Sequence, residues 1–154
     1  MKQKFVESKV CEVAVTYRNK TKASERPQIV SSKDAYNYLS KVYDENTVEL
    51  REYFKVVLLN QSNKVLGYYD LSFGGIDGTY CDIRHVMQIA ILTNATSIML
   101  SHNHPSGNPT PSVNDRRITT KIKQACDILN IRLIDHIIVT RESYYSFTDK
   151  GDLI

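Results

Sequence analysis

Apolar and polar residues recur along this chain with two periods, and the switches between them mark its elements. Cys11 to Tyr17 places Val13, Val15 and Tyr17 on one side and Glu12 and Thr16 on the other, as a half-buried strand does. Residues 18 to 28 read as a loop. Ser31 or Ser32 can cap a helix running to about Tyr43, with Ala35, Leu39 and Val42 on one face. Asp44 to Thr47 ends it. Glu52 to Leu59 predicts a strand, Gln61 to Lys64 a hairpin turn, and Val65 to Ser72 the returning strand. Gly74, Gly75 and Gly78 mark a loop. Asp82 to about Thr93 predicts a helix with Ile83, Val86, Ile89 and Ala90 as its buried stripe. Ser97 to His102 reads as a strand buried on both faces. Val113 to Leu129 predicts a helix with Ile118, Ile122, Cys126 and Leu129 inward. Ile131 to Thr140 is a further strand, and Tyr144 to Phe147 a short last one. Strands separated by helices predict an α/β or α+β sandwich, with helices packed on a mixed sheet.

Composition narrows this picture only slightly. A chain of 154 residues is long enough for one domain with its own core. The net charge of +3 does not by itself argue for nucleic acid. The basic residues are uneven, and Arg18 to Arg26 is the densest stretch. A solvated loop is the preferred reading there, with a weak contact to DNA or an acidic partner as the alternative. Three cysteines, Cys11, Cys81 and Cys126, show no paired spacing, so no disulfide framework is expected. No apolar run approaches membrane-spanning length, and a cytoplasmic protein is the default expectation.

The chemistry concentrates between Ser101 and Asp115, SHNHPSGNPTPSVND. On an extended strand, His102 and His104 point to the same face. The segment Pro105 to Pro111 then turns the chain, so that Asp115 can return a carboxylate to the same point. Two histidines, one carboxylate and an open fourth position are the ligand set of a catalytic zinc site. The two imidazoles share their face with Ile98 and Leu100, where unpartnered polar rings are costly and a cation removes the cost. Ser112 and Asp115 also have the spacing of a helix capping box. The two roles are compatible, since a helix start can position Asp115 as a ligand.

A hydrolytic site also needs a base. Glu52 has the parity of Phe54, Val56 and Leu58, while Lys55 has the other. A carboxylate on an apolar face requires a partner, and zinc-bound water is a suitable one. Glu52 is therefore the preferred base, with Glu49 competing and Glu45 more distant. His136, beside Asp135, is read as structural, with support of a ligand histidine as the alternative. Cys81 and His85 have ligand chemistry, but one pair is weak evidence. Cys126 reads as core, and the tyrosines form no RNA-binding motif.

The spacing H-x-H, seven residues, S-x-x-D resembles the JAMM (JAB/MPN) metalloprotease signature. His102 to Ser112, HNHPSGNPTPS, resembles the RadC family of bacterial JAMM-domain proteins. Further similarity lies in Glu52-Tyr53-Phe54, Val56 to Asn60, the Arg84 helix and Leu133 to Ile138, so that the resemblance covers about residues 29 to 150. It implies a JAB/MPN-type, cytidine-deaminase-like α/β fold, a mixed sheet packed between helices, after an N-terminal strand and basic loop in residues 1 to 28. It implies zinc held by His102, His104 and Asp115, with Glu52 activating water and Ser112 stabilising an oxyanion. The implied activity is a metallopeptidase or isopeptidase acting on a protein or peptide. A DNA-associated accessory protein with a structural metal, the historic repair label of the family, is the alternative. A homodimer is compatible with either. Asn103 stands where many deubiquitinating relatives carry Ser or Thr, and their long ubiquitin-holding insertions have no room here.

Overall fold

Among the described residues, five strands form one mixed sheet. The first two, β1 (Tyr53–Leu59) and β2 (Val65–Phe73), are an antiparallel hairpin. They are followed by β3 (Ser97–Asn103), β4 (Arg132–Val139) and β5 (Tyr144–Ser146). The spatial order is β2-β1-β3-β4-β5, in which β3 and β4 are parallel and the other neighbours antiparallel. The helices are α1 (Ser32–Val42), α2 (Ile83–Leu92) and α3 (Val113–Ile128). This computed structural model describes residues 18–73 and 81–153. The strand expected over Cys11–Tyr17 and the loop expected at Gly74, Gly75 and Gly78 lie outside the described residues. Among the described residues, no helix is long and apolar enough to cross a membrane.

Local chemistry explains the ends of the elements. Ser31 accepts a hydrogen bond from the Asp34 amide and caps α1, and Asp82 caps α2 through the Arg84 amide. Asn94 and Asn130 follow the ends of α2 and α3 with φ of 54° and 55°. Asparagine tolerates that left-handed conformation, which stops a helix and reverses the chain. This accounts for one difference from the periodicity. Leu129, expected to face inward, is 42% exposed, because the chain is already leaving the helix there. Ile131, just past the reversal, is buried instead.

The sheet is covered on both sides. On one face Phe54, Val56, Leu58, Ile98 and Leu100 pack against Val86 and Ala90 of α2 and Ile122 and Cys126 of α3. On the other, Val57, Leu59, Met99 and Ile137 pack against Ala35 and Leu39 of α1. Hence β1 and β3 are buried on both faces, which accounts for their apolar runs Val56 to Leu59 and Ile98 to Leu100. Lys55 has the parity expected of it but is only 6% exposed. Its ammonium pairs with Asp70 and lies over the rings of Tyr43, Tyr53 and Tyr68, which satisfies the buried charge.

Candidate metal centre

The centre of the sheet delivers His102. It is fully buried at the end of β3, opposite Phe54 of β1 and beside Ile138 of β4. His104 lies just past the strand and is held by two bonds. Its amide donates to the Val139 carbonyl at 3.0 Å, and its Nδ1 lies 2.8 Å from the Asn108 carbonyl. The chain turns at Gly107, whose φ of 77° suits glycine. Ser112 then caps α3. Its Oγ accepts from the Asp115 amide at 3.1 Å, and Asp115 Oδ2 accepts from the Ser112 amide at 2.7 Å. The capping box is therefore formed, and it turns the Asp115 carboxylate toward the histidines.

The three side chains converge. Nε2 of His102 lies 3.0 Å from Nε2 of His104 and 3.2 Å from Asp115 Oδ1, and Nε2 of His104 lies 3.5 Å from Asp115 Oδ2. Zinc bonds of roughly 2.0–2.1 Å in a tetrahedron place neighbouring ligand atoms about 3.3 Å apart. The donor chemistry points the same way. A carbonyl can only accept, so His104 Nδ1 carries the hydrogen bound to Asn108, and neutral His104 presents a bare Nε2. That lone pair faces an ionised carboxylate and a second imidazole nitrogen. The arrangement needs a positive charge between them, and a divalent cation fits. Among the described residues, His102, His104 and Asp115 are the group able to hold a metal.

Without a metal, a proton takes part of that role. The hydrogen bond to Asp115 raises the pKa of His104 above the ordinary histidine value; burial opposes this, while the Asn108 carbonyl and the charges of Asp115 and Glu52 add to it. Burial alone would raise the carboxyl pKa of Asp115, but His102, His104 and Ser112 hold it far below the usual range. The sign follows. A raised folded-state pKa at His104 stabilises the metal-free protein fully below about 6.5, and this contribution is lost as pH rises through the raised value. The thermal midpoint of the metal-free protein is expected to fall across that window, and zinc is expected to suppress the fall. Equal pH profiles by calorimetry for both forms would refute this.

Glu52 immediately precedes β1. The β1–β3 register pairs Phe54 with His102, and continued by two residues it sets Glu52 across from His104. Glu52 is half-buried, and its charge contributes to the raised pKa of His104. Glu49 instead pairs with Arg141 at 2.9 Å on the surface, and Glu45 is exposed. Among the described residues, Cys81 joins no group of converging ligand atoms, and burial pushes its thiol up to about 12. The His85 ring packs edge-on against Tyr69, and Cys126 is core.

Two residues have roles that spacing alone did not assign. Asn103, between the histidines, is fully buried and points to the opposite face of the sheet. Its Nδ2 donates to the Val48 carbonyl at 2.6 Å and the Arg51 carbonyl at 2.9 Å, and its Oδ1 accepts from the Tyr53 amide at 2.7 Å. It therefore grips the backbone on both sides of Glu52. Buried groups left unpaired cost ~1–3 kcal/mol each, so Asn103→Ala is expected to lower the unfolding free energy by about 3 kcal/mol or more. Urea denaturation would measure it, and a change under about 1 kcal/mol would show that the clamp is not formed. The second residue is His136, fully buried, whose Nε2 lies 2.8 Å from His102 Nδ1. The sequence reading holds this support of a ligand histidine as the alternative to a structural role, on a histidine beside Asp135 in an apolar strand.

The family-model comparison matches residues 29–152 to the RadC-like JAB domain. The chain is 45% identical over 124 residues to a UPF0758 protein of Flavobacterium johnsoniae, covering 80% of this chain and 53% of that protein. A UPF0758 protein of Thermotoga maritima is 43% identical over 124 residues, covering 80% of this chain and 54% of the relative. A third, from Streptococcus uberis, is 35% identical over 134 residues, covering 87% of this chain and 58% of the relative. The chain thus spans about half the length of these relatives. It carries a JAB/MPN-type domain and belongs to the RadC-like JAB family.

Proposed function

We propose that this chain is a zinc-dependent amide hydrolase, a peptidase or isopeptidase acting on a protein or peptide. The observation that carries the proposal is the convergence of two imidazole Nε2 atoms and one carboxylate at separations of 3.0, 3.2 and 3.5 Å. His102, His104 and Asp115 would hold the ion, and zinc so bound supplies Lewis acidity that polarises a carbonyl and acidifies water. Glu52 takes the proton of the attacking water and passes it to the departing amine, as general base and then general acid. Asn103 holds the peptide units that flank Glu52 and so fixes where its carboxylate starts. Ser112 Oγ accepts from the Asp115 amide. Its hydroxyl, which also helps keep the Asp115 carboxylate ionised, would turn to meet an oxyanion, a contact worth about 3–4 kcal/mol when preorganised. His104 is partly exposed while His102 is fully buried, so the open side lies toward His104 and Glu52.

The test has two parts. Metal content of the purified protein is measured by mass spectrometry before and after zinc reconstitution. The same samples are then incubated with a proteome-derived peptide library and an isopeptide-linked substrate panel. Stoichiometric zinc and chelator-sensitive release of new amino groups support the reading. Failure to take up zinc overturns it.

A further inference from the structure

Behind His102 lies a chain of hydrogen bonds whose direction is fixed by its far end. Thr119 Oγ1 is 2.6 Å from the backbone carbonyl of Asp115. A carbonyl has no hydrogen to give, so the single hydroxyl hydrogen of Thr119 points there. Thr119 Oγ1 is also 2.6 Å from His136 Nδ1. The hydrogen in that contact must therefore sit on His136 Nδ1. His136 is fully buried and its two ring nitrogens meet Thr119 and His102 with no carboxylate to balance a charge, so the ring is neutral and carries one hydrogen. Its Nε2 is then a bare acceptor. The 2.8 Å contact to His102 Nδ1 requires His102 to donate, which leaves His102 Nε2 as a lone pair aimed at His104 and Asp115.

The geometry points to His136 and Thr119 as positioning residues that lock His102 in the tautomer able to bind a cation, through a chain that begins and ends on Asp115. This inference rests on the reading of the site as a metal centre. Asp115 offers its carboxylate to the ion and its backbone carbonyl to Thr119. The circuit from carboxylate to ion, His102, His136, Thr119 and back is closed within the core. It ties α3 to the paired strands β3 and β4. If the circuit is cut, His102 loses its reason to keep the proton on Nδ1. The alternative tautomer places that proton on Nε2, inside the site, where it must be expelled before a cation can enter. Partners of this kind, standing behind ligand histidines, typically change metal affinity by about 10–100-fold.

The test is zinc affinity by competition with a chromophoric chelator, alongside nitrogen NMR of the histidine rings in the zinc-loaded protein. His136→Phe keeps an aromatic ring against Phe147, on which His136 stacks at 4.8 Å, but removes the acceptor for His102. Thr119→Val keeps shape and removes the hydroxyl; Thr119→Ser keeps the hydroxyl. The expected result is zinc binding weakened about 10–100-fold in His136→Phe and Thr119→Val, with Thr119→Ser close to wild type. Wild-type spectra should show Nδ1 protonated in both His102 and His136, and Thr119→Val should lose that single form at His136. Wild-type affinity in both His136→Phe and Thr119→Val overturns the inference, as does equal weakening in Thr119→Ser and Thr119→Val. A wild-type protein that takes up no zinc overturns the metal reading itself and this inference with it.

Discussion

His104→Ala is expected to reduce bound zinc from one equivalent to traces, without unfolding the domain. His104 lies beyond the end of β3 and is partly exposed, and its ring holds the Asn108 carbonyl besides the site, while its amide bond to Val139 survives truncation. Its loss therefore removes a ligand and little packing. His102→Ala is a poorer test, because His102 is fully buried between Phe54 and His136, and its truncation leaves a core cavity. The competing view, that Ser112 and Asp115 only cap a helix, is separated by two further variants. Asp115→Asn keeps an oxygen for the Ser112 amide but loses the charge, so metal should leave while α3 stays capped. Ser112→Ala removes the cap acceptor for the Asp115 amide and should cost ~1 kcal/mol of stability while zinc remains. Elemental analysis and thermal melts on the three proteins decide the matter. Zinc retained in both His104→Ala and Asp115→Asn would mean that the ion, if present, is held elsewhere.

What was legible in the sequence is what short-range spacing encodes. The i, i+2 parity of His102 and His104 and the capping spacing of Ser112 and Asp115 are local, and both appear in the structure as read. The helices and the central strands follow from periodicity because each buries an apolar stripe, and Leu129, expected inward, sits where a helix ends and periodicity ceases to apply. Roles that depend on strand register could not be read in this way. His136 reaches His102 across 34 residues because parallel pairing of β3 with β4 sets Leu100 beside His136. Asn103 clamps residues about 50 positions earlier only because β1 pairs with β3. Lys55 has the parity opposite to Phe54, Val56 and Leu58, and parity does not say whether that face is covered. It is buried because α1 covers that face and Asp70 and three tyrosines accept its charge.

Glu52→Gln is expected to keep zinc and lower turnover by at least a hundredfold. The substitution preserves shape and removes only the ability to take a proton, and general-base contributions run to about 10²–10⁴-fold. Retention of the metal follows from position, because Glu52 stands outside the group of converging ligand atoms, just before β1, where the continued β1–β3 register sets it across from His104. The loss should fall on kcat rather than KM, because the carboxylate acts on the proton in flight and not on the resting substrate. Glu49→Gln is the control. Its carboxylate is engaged by Arg141 on the surface, and solvent-exposed pairs contribute little, so that variant should match wild type in metal and in rate. A second consequence is independent of any substrate. The charge of Glu52 helps hold the pKa of His104 up, so Glu52→Gln should lower the pH at which the metal-free protein loses stability. If Glu52→Gln turns over as fast as wild type and leaves that pH unchanged, Glu52 does not address the site, and the proton must be handled by another group.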